Sequence, residues 1–198
     1  MKYQAYIFDL YGTLADIRTD ERGPKLWRQT ARWYGEHGAS YTPEEIRNAY
    51  LRLCSDLQNA CEDPLYEIEL RQVFEALFAE KGVAADPQLI RDTAVFFRLT
   101  SLRKLKLYPW VLPVLEALKA GGAKRFLLSN AQACFTEPEL KFLRLDAAFG
   151  RIVLSSDAGV KKPSPKIMQQ LLRGTGLDPA SCLMIGNDRT SDVALAAA

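Results

Sequence analysis

Asp9 with Thr13, Ser129 with Asn130, Lys162, and Asp188 with Asp192 are the residues whose types and order could do chemistry together. Carboxylates, hydroxyls and an ammonium group gathered in one place suit phosphoryl transfer. That reaction asks mainly for positioning and for neutralisation of charge on oxygen. Taken singly, each residue has a structural explanation. An aspartate at the end of a strand is common, Ser129 fits a turn or a cap, and Lys162 fits surface charge. Asp188 and Asp192 fit the first turn of a helix, where carboxylates are favoured. What argues for chemistry is that all of them fall at the ends of apolar runs or in the loops that follow.

Those runs read as buried strands. Residues 4–9 (Gln-Ala-Tyr-Ile-Phe-Asp) are rich in strand formers and stop at Asp9, before Tyr11-Gly12-Thr13. Arg125–Ser129 ends in Ser129-Asn130, Arg151–Leu154 in Ser155-Ser156-Asp157, and Cys182–Ile185 in Gly186-Asn187-Asp188. Helical segments alternate with them: Val111–Ala120 ending at Gly121-Gly122, a helix capped by Thr136-Glu137-Pro138-Glu139, and one opening at Ser164-Pro165 and ending near Gly174. Strands alternating with helices imply βαβ units and a parallel sheet, whose carboxyl-terminal edge is where ligands sit. The expected fold is therefore α/β: a Rossmann-like, doubly wound parallel sheet.

Residues from about 16 to 107 have a different rhythm, and the pattern there is helical. Thr42-Pro43-Glu44-Glu45 has the form of a capping box with proline at the first helical position. It leads into Ile46, Tyr50, Leu53 and Leu57 at helical spacing. Leu70, Val73, Phe74, Leu77 and Phe78 make another apolar stripe ended by Gly82, and Asp86-Pro87 opens a helix carrying Ile90, Ala94 and Phe97. Trp27, Ala31 and Tyr34 mark an earlier one. These aromatic stripes read as the core of a helical bundle. The organisation is thus an α/β core of residues 1–15 and 108–198, interrupted by an inserted α-helical domain at 16–107. The sequence stops at Ala198, within the helix expected after the fourth strand.

Composition is that of an ordinary globular chain: 198 residues, 48% apolar and 25% charged, long enough to bury a core without covalent staples. The 26 basic and 24 acidic residues leave a net charge of +2 with no long single-sign run, which gives no case for nucleic acid or an anionic membrane. Four cysteines without a CxxC pair and a single histidine argue against zinc and fit reduced thiols. No signal-peptide pattern opens the sequence, and no apolar run approaches the roughly 20 residues that span a bilayer. A cytoplasmic protein acting on a small molecule is expected, with the oligomeric state open.

At this point the sequence resembles the haloacid dehalogenase-like hydrolases. Asp9-Leu10-Tyr11-Gly12-Thr13-Leu14, Leu127-Leu128-Ser129-Asn130, Lys162-Pro163-Ser164-Pro165 and Ile185-Gly186-Asn187-Asp188-Arg189-Thr190-Ser191-Asp192 look like that family's four motifs in order. The insert stands where the family carries a small helical cap. The resemblance implies that Asp9 is a nucleophile forming an aspartyl intermediate, which splits one hard step into two. It implies a Mg²⁺ held by Asp9, the Tyr11 carbonyl and Asp188, with Asp192 in or near that shell. Thr13, Ser129 and Lys162 would hold the phosphoryl oxygens, Asn130 and Tyr11 would contact substrate, and the cap would exclude water.

Tyr11 is a departure. Family phosphatases usually carry there a second aspartate that protonates the leaving group, help worth about 10²–10⁴ in rate. The L-2-haloacid dehalogenase branch carries tyrosine there, and Leu26-Trp27-Arg28-Gln29 resembles its stretch with a substrate-binding arginine, here Arg28. That branch also has a tyrosine where this sequence has Met168. Its fourth motif is serine- and asparagine-rich and needs no metal, whereas this sequence has Asp188 and Asp192, which with Asp9 would repel one another without a cation. Three readings follow: a Mg²⁺-dependent phosphatase of small phosphate esters, a haloacid dehalogenase, and a catalytically weak binding or regulatory protein. Substrate choice would rest on cap side chains such as Trp27, Arg28, Trp33, Tyr34 and Tyr66, each of which core packing also explains.

Overall fold

The computed structural model describes residues 2–197, and the chain divides into two compact units. One comprises Met1–Ile17 and Lys104–Ala198, the other Arg18–Arg103. The first strand, β1 (Ala5–Phe8), is followed by β2 (Ala15–Thr19), then by helices α1 (Pro24–Glu36), α2 (Pro43–Asn59), α3 (Leu70–Ala79) and α4 (Pro87–Ser101). Strand β3 (Leu102–Leu107) returns the chain. The remainder alternates: α5 (Val111–Ala120), β4 (Lys124–Ser129), α6 (Ala133–Phe142), β5 (Arg151–Leu154), α7 (Ser155–Ala158), α8 (Pro165–Leu172), β6 (Cys182–Ile185) and α9 (Ala194–Ala197).

The α/β fold is as expected. Four strands pair in the order β5-β4-β1-β6, every pairing parallel, with Phe8 level with Leu127 on one side and with Ile185 on the other. Side chains alternate along a strand, so the two faces of the sheet draw on different residues. Phe8 and Leu127 pack with Val111, Leu115 and Leu118 of α5 and with Leu140 of α6. Ile7, Phe126 and Leu128 are buried on the opposite face, where α8 contributes Ile167 and Leu171. With both faces covered the strands can be apolar throughout, which made them legible as short runs.

The helical unit is held by aromatic side chains. Trp27 packs on Tyr50 and Phe97, Tyr50 stacks on Phe97, and Phe74 closes the group. Tyr34 is fully buried, stacks on Phe78 and donates to the Phe74 carbonyl. The Thr42 box is formed in both directions, Glu45 N–H to Thr42 Oγ1 and Thr42 N–H to Glu45 Oε2. Trp27 and Tyr34 therefore serve the core, and Trp33 stacks on Phe96.

Two expectations are corrected. Residues 16–107 are not helical throughout: β2 and β3 form a two-stranded sheet. Within β3 the stretch Lys104-Leu105-Lys106-Leu107 alternates with strand period, Leu105 and Leu107 being less exposed than the lysines. Nor does Thr136 cap a helix. α6 begins at Ala133, Pro138 lies inside it, and Thr136 and Glu139 are buried on one of its faces.

The aromatic cluster yields a stability prediction. Phe97→Ala, at a position 1% exposed, is expected to cost about 3–5 kcal/mol in urea unfolding. Leu99→Ala, at a position 65% exposed two residues away, should stay within about 0.5 kcal/mol.

Candidate active site

Parallel pairing puts the carboxyl ends of β1, β4 and β6 on one edge, and the polar residues after them meet there. Asp9 follows β1 directly, its N–H bonded to the Ile185 carbonyl at the end of β6 (2.9 Å). Its Oδ1 accepts from Ser129 Oγ at 2.9 Å and from Lys162 Nζ at 2.8 Å. Its Oδ2 accepts from Thr13 Oγ1 at 3.2 Å. Thr13 Oγ1 lies equally far from Asn187 Oδ1, tying the loop after β1 to the loop after β6.

Lys162 is the centre of charge. Its Nζ donates to Asp9 Oδ1, to Asp192 Oδ1 at 2.6 Å and to the Leu128 carbonyl at 3.0 Å. Three acceptors use all three ammonium protons. Lys162, Asp9 and Asp192 are all buried. A buried ammonium without counter-charge is costly, so this lysine stays inside because two carboxylates and a carbonyl receive it.

Short-range geometry places each member. Asn130 grips the Lys162 backbone from both sides, Oδ1 accepting from Lys162 N–H at 2.7 Å and Nδ2 donating to its carbonyl at 3.1 Å. The entry to α6 is fixed in turn by Ser155 Oγ, which accepts from Ala131 N–H, and Ser156 Oγ, which accepts from Ala133 N–H, each at 2.8 Å. After β6 the chain makes a π-helical turn, Arg189–Val193. Asp188 caps it, Oδ1 accepting from Thr190 Oγ1 and Thr190 N–H (2.6 Å each) and from Ser191 N–H (3.1 Å). Those donors, the Thr190 hydroxyl foremost, hold the Asp188 carboxyl below its ordinary range. The turn also folds Asp192 back so that Oδ2 accepts from Asp188 N–H at 3.0 Å.

Two glycines are dictated by this closeness. A side chain on Gly186 would put its Cβ 2.1 Å from Asp192 Oδ2. Gly12 has φ of +80°, and its Cβ would stand 2.6 Å from Asn187 Nδ2.

Asp9, Thr13, Ser129, Lys162 and Asp192 are thus one bonded cluster. The other expected site residues fall elsewhere. The Asn130 amide is engaged with the Lys162 backbone rather than turned to a ligand. The Tyr11 hydroxyl donates to a carboxyl oxygen of Glu139 and lies 3.0 Å from Thr136 Oγ1. Arg28 is exposed on α1, in the helical unit. Asp192 gives both its oxygens to protein donors. The sequence reads Thr136 and Glu139 as a helix cap and gives Asn187 no role of its own. The first two share a helix face three residues apart, a spacing that also fits a capping box.

Among the described residues no three His, Cys, Asp or Glu side chains stand together as a metal-holding group. The donor chemistry nevertheless suits a hard divalent cation. Lys162 offers one positive charge against two buried carboxylates, Asp9 and Asp192, and the exposed carboxylate of Asp188 stands in the loop after β6.

Comparison with known proteins gives a consistent picture. A family model described as haloacid dehalogenase-like hydrolase matches residues 3–198. A glyceraldehyde 3-phosphate phosphatase of Methanopyrus kandleri is 29% identical over 120 residues, covering 61% of this chain and 52% of that one. The chain thus spans about half the length of that relative. A glyceraldehyde 3-phosphate phosphatase of Pyrococcus abyssi is 24% identical over 186 residues, 94% of this chain and 74% of that one. Among solved structures, a 2-haloacid dehalogenase of Pseudomonas syringae pv. Tomato superposes with a TM-score of 0.64 at 21% identity, covering 98% of this chain and 82% of that one. At that identity the likeness speaks for the fold alone.

Two measurements test the geometry. Lys162→Met should cost about 3–5 kcal/mol in unfolding free energy, because two buried carboxylates lose their cation. Adding Asp192→Asn should recover part of that loss. Thr190→Val removes the hydroxyl that most depresses the Asp188 carboxyl, so its titration, followed by carbon NMR, should move up toward the usual carboxylate range.

Proposed function

The chain belongs to the haloacid dehalogenase-like hydrolases, and from the cluster around Asp9 we propose that it hydrolyses small phosphate compounds through a phosphoryl group carried on Asp9. The observation that carries this reading is a buried carboxylate at a strand end, held by Lys162, Ser129 and Thr13. Those donors surround the place where phosphoryl oxygens would gain charge, and preorganised donors stabilise such charge most where water is excluded. The curated relatives named as glyceraldehyde 3-phosphate phosphatases support phosphate chemistry over halide displacement.

In this mechanism Asp9 attacks phosphorus with Oδ2, the oxygen on which only Thr13 rests. Before attack Oδ1 is anchored by Ser129 and Lys162, which keeps the carboxylate plane from turning. Lys162 and Ser129 then offer their protons to the phosphoryl oxygens, Lys162 remaining anchored by Asp192. Asn130 keeps the lysine backbone in place while this happens. Asp192 is a positioning residue here, acting on substrate through Lys162. A Mg²⁺ would be held by Asp9, Asp188 and the Tyr11 carbonyl. When bound, it would neutralise oxygen charge that Lys162 alone does not cover.

The test is phosphate release from an aryl phosphate, with and without Mg²⁺. Turnover that requires the metal and falls on the order of 10⁴-fold or more in Asp9→Asn is expected. Turnover indifferent to Asp9 would contradict the reading. Free halide released from a 2-haloacid without metal would replace it with the dehalogenase reading. Binding of a phosphate analogue without any turnover would replace it with a regulatory role.

A further inference from the structure

Resting on that phosphatase reading, we infer that the site is selective for phosphate compounds whose leaving group departs as a stable anion, namely acyl phosphates and aryl or enol phosphate esters. The inference comes from where each proton around Asp9 points. Ser129 Oγ donates to Asp9 Oδ1, and the Thr13 hydroxyl lies between Asp9 Oδ2 and Asn187 Oδ1. Lys162 has its three protons on Asp9, Asp192 and the Leu128 carbonyl. These donors face the nucleophile and its anchors, where they serve the transferring phosphoryl group and not the group that leaves.

Tyr11 is the remaining side chain of the loop after β1 with a proton to give, and that proton is committed elsewhere. Its hydroxyl donates to Glu139, a side chain 5% exposed on α6, and lies 3.0 Å from Thr136 Oγ1. Its ring packs against Ala131, Ala133 and Leu154, so the phenol is held along α6 by apolar contact as well. Those apolar contacts of the ring oppose any swing of the phenol toward substrate. Asp192 is committed in the same way, receiving Lys162 on one oxygen and Asp188 N–H on the other.

The chemistry that follows divides substrates by leaving group. An Asp9 oxygen bonds to phosphorus, the bond from phosphorus to the leaving oxygen breaks, and its electron pair departs on that oxygen. An alkoxide would then leave unprotonated, and as a far stronger base than a carboxylate or phenolate it departs poorly. Supplying a proton at that moment is worth about 10²–10⁴ in rate. A carboxylate or phenolate needs no such proton. In the second step water bonds to phosphorus, the bond to Asp9 breaks with its pair returning to the carboxylate, and the water proton passes to solvent.

The experiment is a leaving-group series on the full chain with Mg²⁺: acetyl phosphate, aryl phosphates from strongly to weakly acidic phenols, and an alkyl phosphate. kcat/KM should fall steadily as the leaving group becomes more basic, with acetyl phosphate at least about 10³-fold above the alkyl ester. Tyr11→Phe should change alkyl and aryl rates by one common factor. A flat series, or a loss in Tyr11→Phe confined to the alkyl ester, would overturn this inference and leave the phosphatase reading standing. No turnover anywhere in the series, acetyl phosphate included, would overturn both.

Discussion

The ammonium of Lys162, buried between the carboxylates of Asp9 and Asp192, is the constraint around which the rest of the α/β unit is arranged. A buried ion group of this kind is weak evidence of net stability, because desolvation offsets much of the attraction. Its value lies in fixing positions. Lys162 joins the end of β1 to the turn after β6 and, through the Leu128 carbonyl, to β4. Three strand ends that the sheet brings near are thereby locked at hydrogen-bond distance. Without the lysine, two carboxylates would share a buried space.

Much of the surrounding chain serves that lock. Asn130 fixes the backbone from which Lys162 extends, and Ser155 and Ser156 secure the loop beyond Asn130. The π-helical turn bends Asp192 inward while Asp188 satisfies its first amides. Gly186 and Gly12 are bare because a methyl group at either place would strike Asp192 or Asn187. A group that holds a nucleophile in this way works before any substrate arrives, which is what electrostatic preorganisation requires.

The sequence carried the sheet and the cluster well because both depend on local signals. β1, β4, β5 and β6 are apolar runs ending in polar residues, since a doubly covered parallel strand has no solvent face to alternate with. The helices of Arg18–Arg103 showed through period and caps, Thr42 with Glu45 being the plainest. What escaped notice depended on partners distant in sequence. Thr136 and Glu139 have the spacing of a capping box, and only the position of Tyr11, 128 residues from Glu139, reveals them as one face. Asn130 looked like a ligand group because its amide is polar and beside Ser129, yet Lys162 occupies both its ends. β2 and β3 were hidden by their lysines, arginines and aspartate, which a short exposed ribbon tolerates and a buried strand does not.

The central claim is that Asp9 carries the phosphoryl group. The most direct measurement is peptide mass analysis after rapid acid quench of the protein turning over an aryl phosphate with Mg²⁺. The account predicts that the peptide containing Asp9 gains the mass of one phosphoryl group, that hydroxylamine removes it, and that it is absent in Asp9→Asn. Steady turnover with the Asp9 peptide unmodified at every quench time, and the label on another residue or on none, would contradict it.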